Sequence, residues 1–275
     1  MSQLGTEADP WEFLQTYTAA RIARGRVGHS LPTRALLDFQ LDHARARDAV
    51  YSTLETGRLL AEIDRLLARP LLLQSQAVDR RTYLQRPDLG RRLNADSWLR
   101  LQTLSTAPAD LSIVMADGLS ATAINRHTVP LLRHLLPELK ALGWSLTPIC
   151  LVQQGRVAIA DEAAHGLKAS MTLMLIGERP GLTSPDSLGA YLTYAPCPGL
   201  TDEARNCVSN IRPEGMPYAF AAQKLLYLLT EMKTRKLSGV QLKDEMGLLG
   251  ETTSPQRRTV PDPSPENRRG GSSAQ

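Results

Sequence analysis

The chain has 275 residues, 42% of them apolar and 22% charged, enough to bury a real core in one large domain or two modest ones. No apolar run approaches the roughly 20 residues that a membrane helix needs, and the start, "MSQLGTEADPWEF", has neither the basic region nor the apolar block of a secretory signal. Cys150, Cys197 and Cys207 are too few and too scattered for a disulfide framework or a zinc site, so a cytoplasmic protein is expected.

The net charge of +4 is unevenly made up. The first hundred residues hold fifteen arginines and no lysine. Arginine makes planar, bidentate contacts that suit ion pairs and subunit interfaces, although the codon preference of a GC-rich genome gives the same bias. Twelve acids interleaved with those arginines dilute any continuous basic stripe, which disfavours nucleic-acid binding.

Residues 1–105 read as a helical N-terminal region, whose arginines suit subunit contacts. "LPTRALLDFQLDHARARDAVYSTL" puts Leu37, Leu41, Ala44 and Asp48 at helical spacing, with Pro32 suited to the first turn. Arg34 and Asp38 stand at i,i+4 as an attractive pair. A second helix, "LETGRLLAEIDRLLARPLL", is expected to stop or kink near Pro70.

Residues 106–246 change pattern. The short apolar runs "LSIVMA", "SLTPICLV" and "SMTLMLIG" alternate with helical segments. The first connector, "SATAINRHTVPLLRHLLPELKALG", is long enough for a crossover helix and ends at Gly143. "GRVAIADEAAHGLKA" reads as a short strand-like piece followed by a short helix. A later helix, "PYAFAAQKLLYLLTEMKTRK", sets Ala221, Leu225, Leu228 and Met232 on one face. Strand and helix in alternation predict an α/β fold with a Rossmann-like, doubly wound, mostly parallel sheet. Residues 247–275 carry no hydrophobic cluster and read as a disordered tail.

Ligands of open parallel sheets bind beyond the carboxyl ends of the strands. "ADGLS", "QQGRVAIADE" and "GERPGL" follow the three expected strands, and "RNCVSNIRPEG" lies later with turn chemistry around its centre. Asp117 either braces its own turn or holds a ribose or amine, with Ser120 or Thr122 as the cap of the next helix. Neither GxGxxG nor GxxxxGK[ST] occurs, so the dinucleotide fingerprint and the P-loop are absent. His127 and His134 are seven apart, about 10 Å along a helix, too far to share one metal ion. His43 fits a solvated or interfacial place. Cys207 lacks any nucleophile signature and reads as a packed or ligand-touching thiol.

"VMADGLSATAINRHTVPLL", "GRVAIADE", "LMLIGERPGL" and "NCVSNIRPEG", with "TAARIARGRVG", "LPTRALLDFQLDHARARDAV", "YLQRPDLGRRL" and "SGVQLKDE", resemble the small (light) subunit of ethanolamine ammonia-lyase over about residues 16 to 245. The resemblance implies an α/β chain that closes over adenosylcobalamin, with the catalytic work divided between cofactor and a TIM-barrel large subunit. It implies conversion of ethanolamine to acetaldehyde and ammonia, and a hetero-oligomer built as a trimer of paired heterodimers. No catalytic residue is expected on this chain, and no nucleic acid or membrane among its partners. Carried over by motif, the cofactor-binding residues are Val157 in "GRVAIADE", Glu178 in "GERPG" and Cys207 in "NCVSNI". Glu178 would accept hydrogen bonds, aimed by the Pro180-Gly181 turn. Val157 would offer backbone groups or apolar contact, and Cys207 a small, weakly polar surface without metal ligation. Arg179 suits a phosphate or the large subunit. Some family members carry a longer N-terminal extension that directs them to a bacterial microcompartment. Here about fifteen residues precede the matching stretch, so the location expected is cytoplasmic, with microcompartment residence left open.

Overall fold

In the computed structural model, residues 9–18, 20–66, 70–104 and 107–246 are described. The chain divides into a compact unit, Met1–Lys243, and a second unit, Asp244–Gln275. The expected tail, residues 247–275, lies outside the described residues.

Among the described residues of the first unit, six strands form one sheet: β1 Leu71–Gln74, β2 Ala109–Ala116, β3 Cys150–Gln153, β4 Ala169–Gly177, β5 Leu188–Tyr194 and β6 Arg205–Ile211. Their spatial order is β1-β3-β2-β4-β5-β6. The first four are mutually parallel, whereas β4–β5 and β5–β6 are antiparallel. The expected doubly wound, mostly parallel sheet is thereby corrected to a mixed α/β sheet. The cause is local: a loop of ten residues, 178–187, joins β4 to β5 without a helix, and only a helical crossover would have kept them parallel.

Among the described residues, seven α-helices accompany the sheet: α1 Thr33–Tyr51, α2 Thr56–Leu66, α3 Arg80–Gln85, α4 Ala95–Thr103, α5 Ala121–Ala141, α6 Ile159–Gly166 and α7 Tyr218–Arg235. Side chains of β2 alternate between two apolar layers, as the pleat requires. Leu111, Ile113 and Met115 join the larger layer with α2, α5 and α7. Val114 and Ala116 join the smaller one with α4 and α6. Helix α5 runs through Pro130 and Pro137. The lost backbone bonds are offset by its buried row of Leu131, Leu132, Leu135, Leu136 and Leu139.

Expectation and structure part company in the N-terminal region. Strand β1 arises from "LLLQ", inside the stretch read as helical, and pairs in parallel with β3 directly after Pro70. "GRVAIADE" contains no strand: it turns at Arg156–Ala158 and enters α6. Segment 205–211, read as a loop with turn chemistry, is strand β6. In α1 the buried residues are Ala35, Ala46 and Ala49, while Leu37 and Leu41 stay 58% and 51% exposed. Asp42 pairs with Arg21 at 2.6 Å and with Arg45 at 3.6 Å, and the expected Arg34–Asp38 pair is absent among the described residues.

Candidate functional site

The carboxyl ends of β2, β3 and β4 gather at one edge of the sheet, together with the start of β5 and the end of β6. Their loops are tied to each other. Leu119 N–H donates to the Gly177 carbonyl at 2.9 Å, and the Ser120 hydroxyl donates to the Pro185 carbonyl at 2.9 Å. The approach is so close that a Cβ on Gly177 would lie 2.0 Å from the Ser120 carbonyl oxygen. Only glycine fits there, which explains the residue before Glu178.

Asp117 is the internal brace of this edge. Its Oδ1 accepts from Gly118 N–H and from Gly155 N–H, each at 3.1 Å, so the β2 end holds the loop after β3. Burial, partly offset by Arg80 and by backbone N–H groups, pushes the carboxyl up to about 6. Arg80 stands 4.0 Å from Oδ2 and spends its donors on the carbonyls of Val50 and Gly118. Of the two readings of Asp117, the turn brace is the one the geometry carries. Ser120, rather than Thr122, caps α5 by accepting from Ala123 N–H.

Beside this brace lies a depression of about 430 Å³ whose lining includes Val157, Glu178, Arg179, Arg156, Tyr83 and Tyr191. Two of the three expected residues, Val157 and Glu178, thus share one concavity. Tyr83 is buried, with two guanidinium groups over its ring, Arg80 at 4.7 Å and Arg156 at 4.1 Å from the centroid. Arg156 donates to the Tyr83 carbonyl at 3.1 Å, and its buried Nε has no partner among the described residues.

Glu178 is half-buried where β4 ends. Its Oε2 accepts from the Ser187 hydroxyl, and from Asn210 N–H at 3.2 Å. The loop between is closed by reciprocal backbone bonds of Gly181 and Ser184. A carboxylate delivered straight from a buried strand into a rigid turn is therefore fixed through one oxygen, and Oε1 has no hydrogen-bond partner among the described residues. That leaves an acceptor of fixed position at the edge of the depression.

Cys207 is not in that lining, but it faces Tyr191 across the β5–β6 ladder, and Tyr191 is. The cysteine is exposed, yet partial burial pushes its thiol up, against the lowering effect of Tyr191. This is the reverse of what a thiolate nucleophile needs. Burial, then Cys207 and Glu178, push the Tyr191 hydroxyl up as well. Val157, Glu178 and Cys207 therefore border one surface, with Tyr191 as the link between the last two. Tyr191, Arg156 and Tyr83 were missed in the sequence. The signal that could have found Tyr191 is the alternation in "LGAYLTY", which fits a strand turning it to one face.

His127 serves the scaffold. His127 Nδ1 lies 2.7 Å from the Tyr218 hydroxyl and Nε2 3.3 Å from Asp186, while His134 and His43 are exposed. Asp186 also meets Arg126 at 3.1 Å and Arg212 at 3.7 Å. Burial opposes its ionisation, but Arg126 and His127 outweigh burial and hold the carboxyl below the usual range. The cluster pins the β4–β5 loop to α5 and to the start of α7. Among the described residues, no group of three or more His, Cys, Asp or Glu could hold a metal ion, and no helix is long and apolar enough to cross a membrane.

Fold and site together define a class: an α/β chain whose candidate site is a rim of strand-end loops, with fixed hydrogen-bonding groups around an open depression. The family follows from comparison. Residues 8–243 match the model of the ethanolamine ammonia-lyase light chain (EutC), and the chain belongs to that family. It is 59% identical over 240 residues to the ethanolamine ammonia-lyase small subunit of Azotobacter vinelandii, covering 86% of this chain and 89% of the relative. The protein of the same name from Pseudomonas putida is 56% identical over 243 residues, covering 87% and 89%. That from Pseudomonas fluorescens is 55% identical over 240 residues, covering 86% and 88%.

Proposed function

We propose that this chain is the small subunit of an adenosylcobalamin-dependent ethanolamine ammonia-lyase, and that its strand-end rim caps the cofactor against a large catalytic subunit. The observation that carries the reading is the meeting of Val157, Glu178 and, through Tyr191, Cys207 on one surface. They come from three separate stretches of sequence.

The residues present fit the cofactor. A corrin periphery bears amide side chains that both donate and accept hydrogen bonds. Glu178 supplies an acceptor through Oε1, and Arg156 supplies an orphaned buried donor at Nε. Val157 is partly buried in the smaller apolar layer and offers an apolar wall. Cys207 and Tyr191 present a small thiol and a hydroxyl that stay protonated near neutral pH, as their raised titration requires. When bound, adenosylcobalamin supplies the radical chemistry that turns ethanolamine into acetaldehyde and ammonia. This chain's residues hold, orient and shield. Glu178 fixes position through its unpaired oxygen, and the tied loops after β2 and β4 set where that oxygen stands.

The large subunit is the partner of this reading, in a hetero-oligomer arranged as a trimer of paired heterodimers. Residues 1–105 provide subunit contacts, 106–246 cap the cofactor, and the exposed Leu36, Leu37, Phe39 and Leu41 of α1 suit burial against another chain. The place of action is the cytoplasm, either free or inside a bacterial microcompartment. The test is to assay ethanolamine deamination with added adenosylcobalamin, first with this chain alone and then with a large subunit. Turnover is expected only from the pair. Turnover by the isolated chain would overturn the division of labour.

A further inference from the structure

A second cavity, about 550 Å³, adjoins the first, and Arg156 and Val157 line both. Its remaining charged wall is Arg91, Arg92, Glu162 and Asp202. The two acids are already engaged. Glu162 accepts from Leu93 N–H at 2.7 Å, and Asp202 pairs with Arg205 at 3.0 Å. The side chains of Arg91 and Arg92 are exposed and have no ion-pair or hydrogen-bond partner among the described residues. Three guanidinium groups therefore face one cavity against two carboxylates, an excess of positive charge, and none of the three is ion-paired among the described residues.

Their gathering is built into the backbone. Arg156 N–H donates to the Gly90 carbonyl at 2.7 Å. Gly90 is buried, and a Cβ there would lie 2.8 Å from Arg156 Cγ and 3.1 Å from the Tyr83 ring. The stretch Gly90-Arg91-Arg92 can thus lie against Gly155-Arg156 only because position 90 has no side chain. Arg156 itself is held over the Tyr83 ring at 4.1 Å. The opposite wall, the loop 198–202, is anchored by the buried Arg205, which donates to the Leu200 carbonyl at 3.0 Å and pairs with Asp161. Planar guanidinium donors on a fixed frame match the oxygens of a phosphoryl group.

We propose that the Arg91–Arg92–Arg156 basin is a phosphoryl-anion site that takes the phosphodiester of the cofactor's nucleotide tail. The assignment rests on the capping function above and adds to it: the corrin side lies over the Glu178 depression, and the tail reaches past Val157 into the arginines. A free phosphate group has the same chemistry, so the test must separate the two sources.

The assembled enzyme, this chain with a large subunit, is compared with its R91A/R92A variant by equilibrium dialysis. The probes are adenosylcobalamin, adenosylcobinamide (which lacks the phosphodiester and base) and inorganic phosphate. Loss of two charge-assisted contacts should weaken adenosylcobalamin binding about tenfold to a hundredfold, with adenosylcobinamide unchanged and the R91K/R92K variant retaining most of the affinity. Inorganic phosphate should compete with adenosylcobalamin and not with adenosylcobinamide. Equal loss for both corrinoids, or loss for neither, overturns the site. So does phosphate binding that depends on the arginines without distinguishing the corrinoids, which would assign the basin to a free phosphorylated ligand. A variant that no longer assembles, seen by size-exclusion chromatography, would make the arginines docking residues and likewise end the proposal. Failure of the unaltered enzyme to bind either corrinoid would instead remove the capping function, and the tail assignment with it.

Discussion

Helix α1, 19 residues after Pro32, and helix α7, 18 residues after Pro217, are built from similar material and meet opposite fates. In α7, Ala221, Leu225, Leu228 and Met232 are all buried against the sheet, as their spacing predicted. In α1, the leucines at the same kind of spacing lie in the open, and small alanines make the contact with the rest of the chain. Periodicity marks a face as apolar; it does not say which body covers that face. The same division separates the closed layer around α5 and α7 from the strand-end rim. There, Glu178 Oε1, Arg156 Nε and two exposed arginines have no partner among the described residues. One part of the molecule is closed on itself, and the other is the part that the proposed function sets against a second body.

Substitutions should sort along that division. The largest effect belongs to the closed part. Arg205→Ala leaves Asp161 buried and unpaired and should cost about 3–5 kcal/mol of stability, read as a lower denaturant midpoint. A loss below about 1 kcal/mol would mean that the pair contributes little to holding the 198–202 loop.

Next comes the rim. Glu178→Ala should weaken adenosylcobalamin binding to the assembled enzyme about tenfold to a hundredfold, while kcat at saturating cofactor is kept. Glu178→Gln retains an acceptor and should recover part of the affinity. An unchanged dissociation constant for both variants would remove Glu178 from the cofactor's surroundings.

A third substitution bears on α1. Leu37→Ser with Leu41→Ser should shift the stability of the isolated chain by no more than about 0.5 kcal/mol per site, since neither leucine is buried. Association with the large subunit should weaken, which analytical ultracentrifugation would detect. A large loss of stability without any change in association would place these leucines in the closed part.

The last effect is one of pH. Burial pushes the folded Asp117 carboxyl up to about 6, above its value of about 3.9 in an unfolded chain. The native state therefore holds that proton more tightly. The group's contribution to stability is complete below about pH 4 and is lost as pH rises through about 6. In Asp117→Asn that fall should vanish, so the stability difference from the unaltered chain should change between about pH 4 and 6 and stay flat above. Parallel curves across the whole range would contradict the buried brace.

How much of this was legible follows the same physics. The buried core of β2 and β4 stood out as continuous apolar runs, and Glu178 was visible because it follows such a run directly. Strand β1 was not. Its four residues, "LLLQ", continue a helical pattern past Pro70, and a short apolar run carries no period of its own. Strand β6 is not legible as a strand because its polar residues do not alternate with apolar ones: Ser209 and Asn210 are adjacent, and both are exposed. The missed antiparallel pair is also why the sheet is mixed and not doubly wound throughout. Tyr191 and Arg156 were invisible for a deeper reason, since each gains its role from a neighbour distant in sequence, Cys207 for one and Tyr83 for the other.

Amide hydrogen exchange on the assembled enzyme, with and without adenosylcobalamin, reaches the central claim most directly. The account predicts slowed exchange at the rim loops, residues 154–158, 178–181 and 206–210, with the α5–α7 layer unchanged. Slowing confined to other parts of the chain, or none at all while the cofactor is bound, would contradict it.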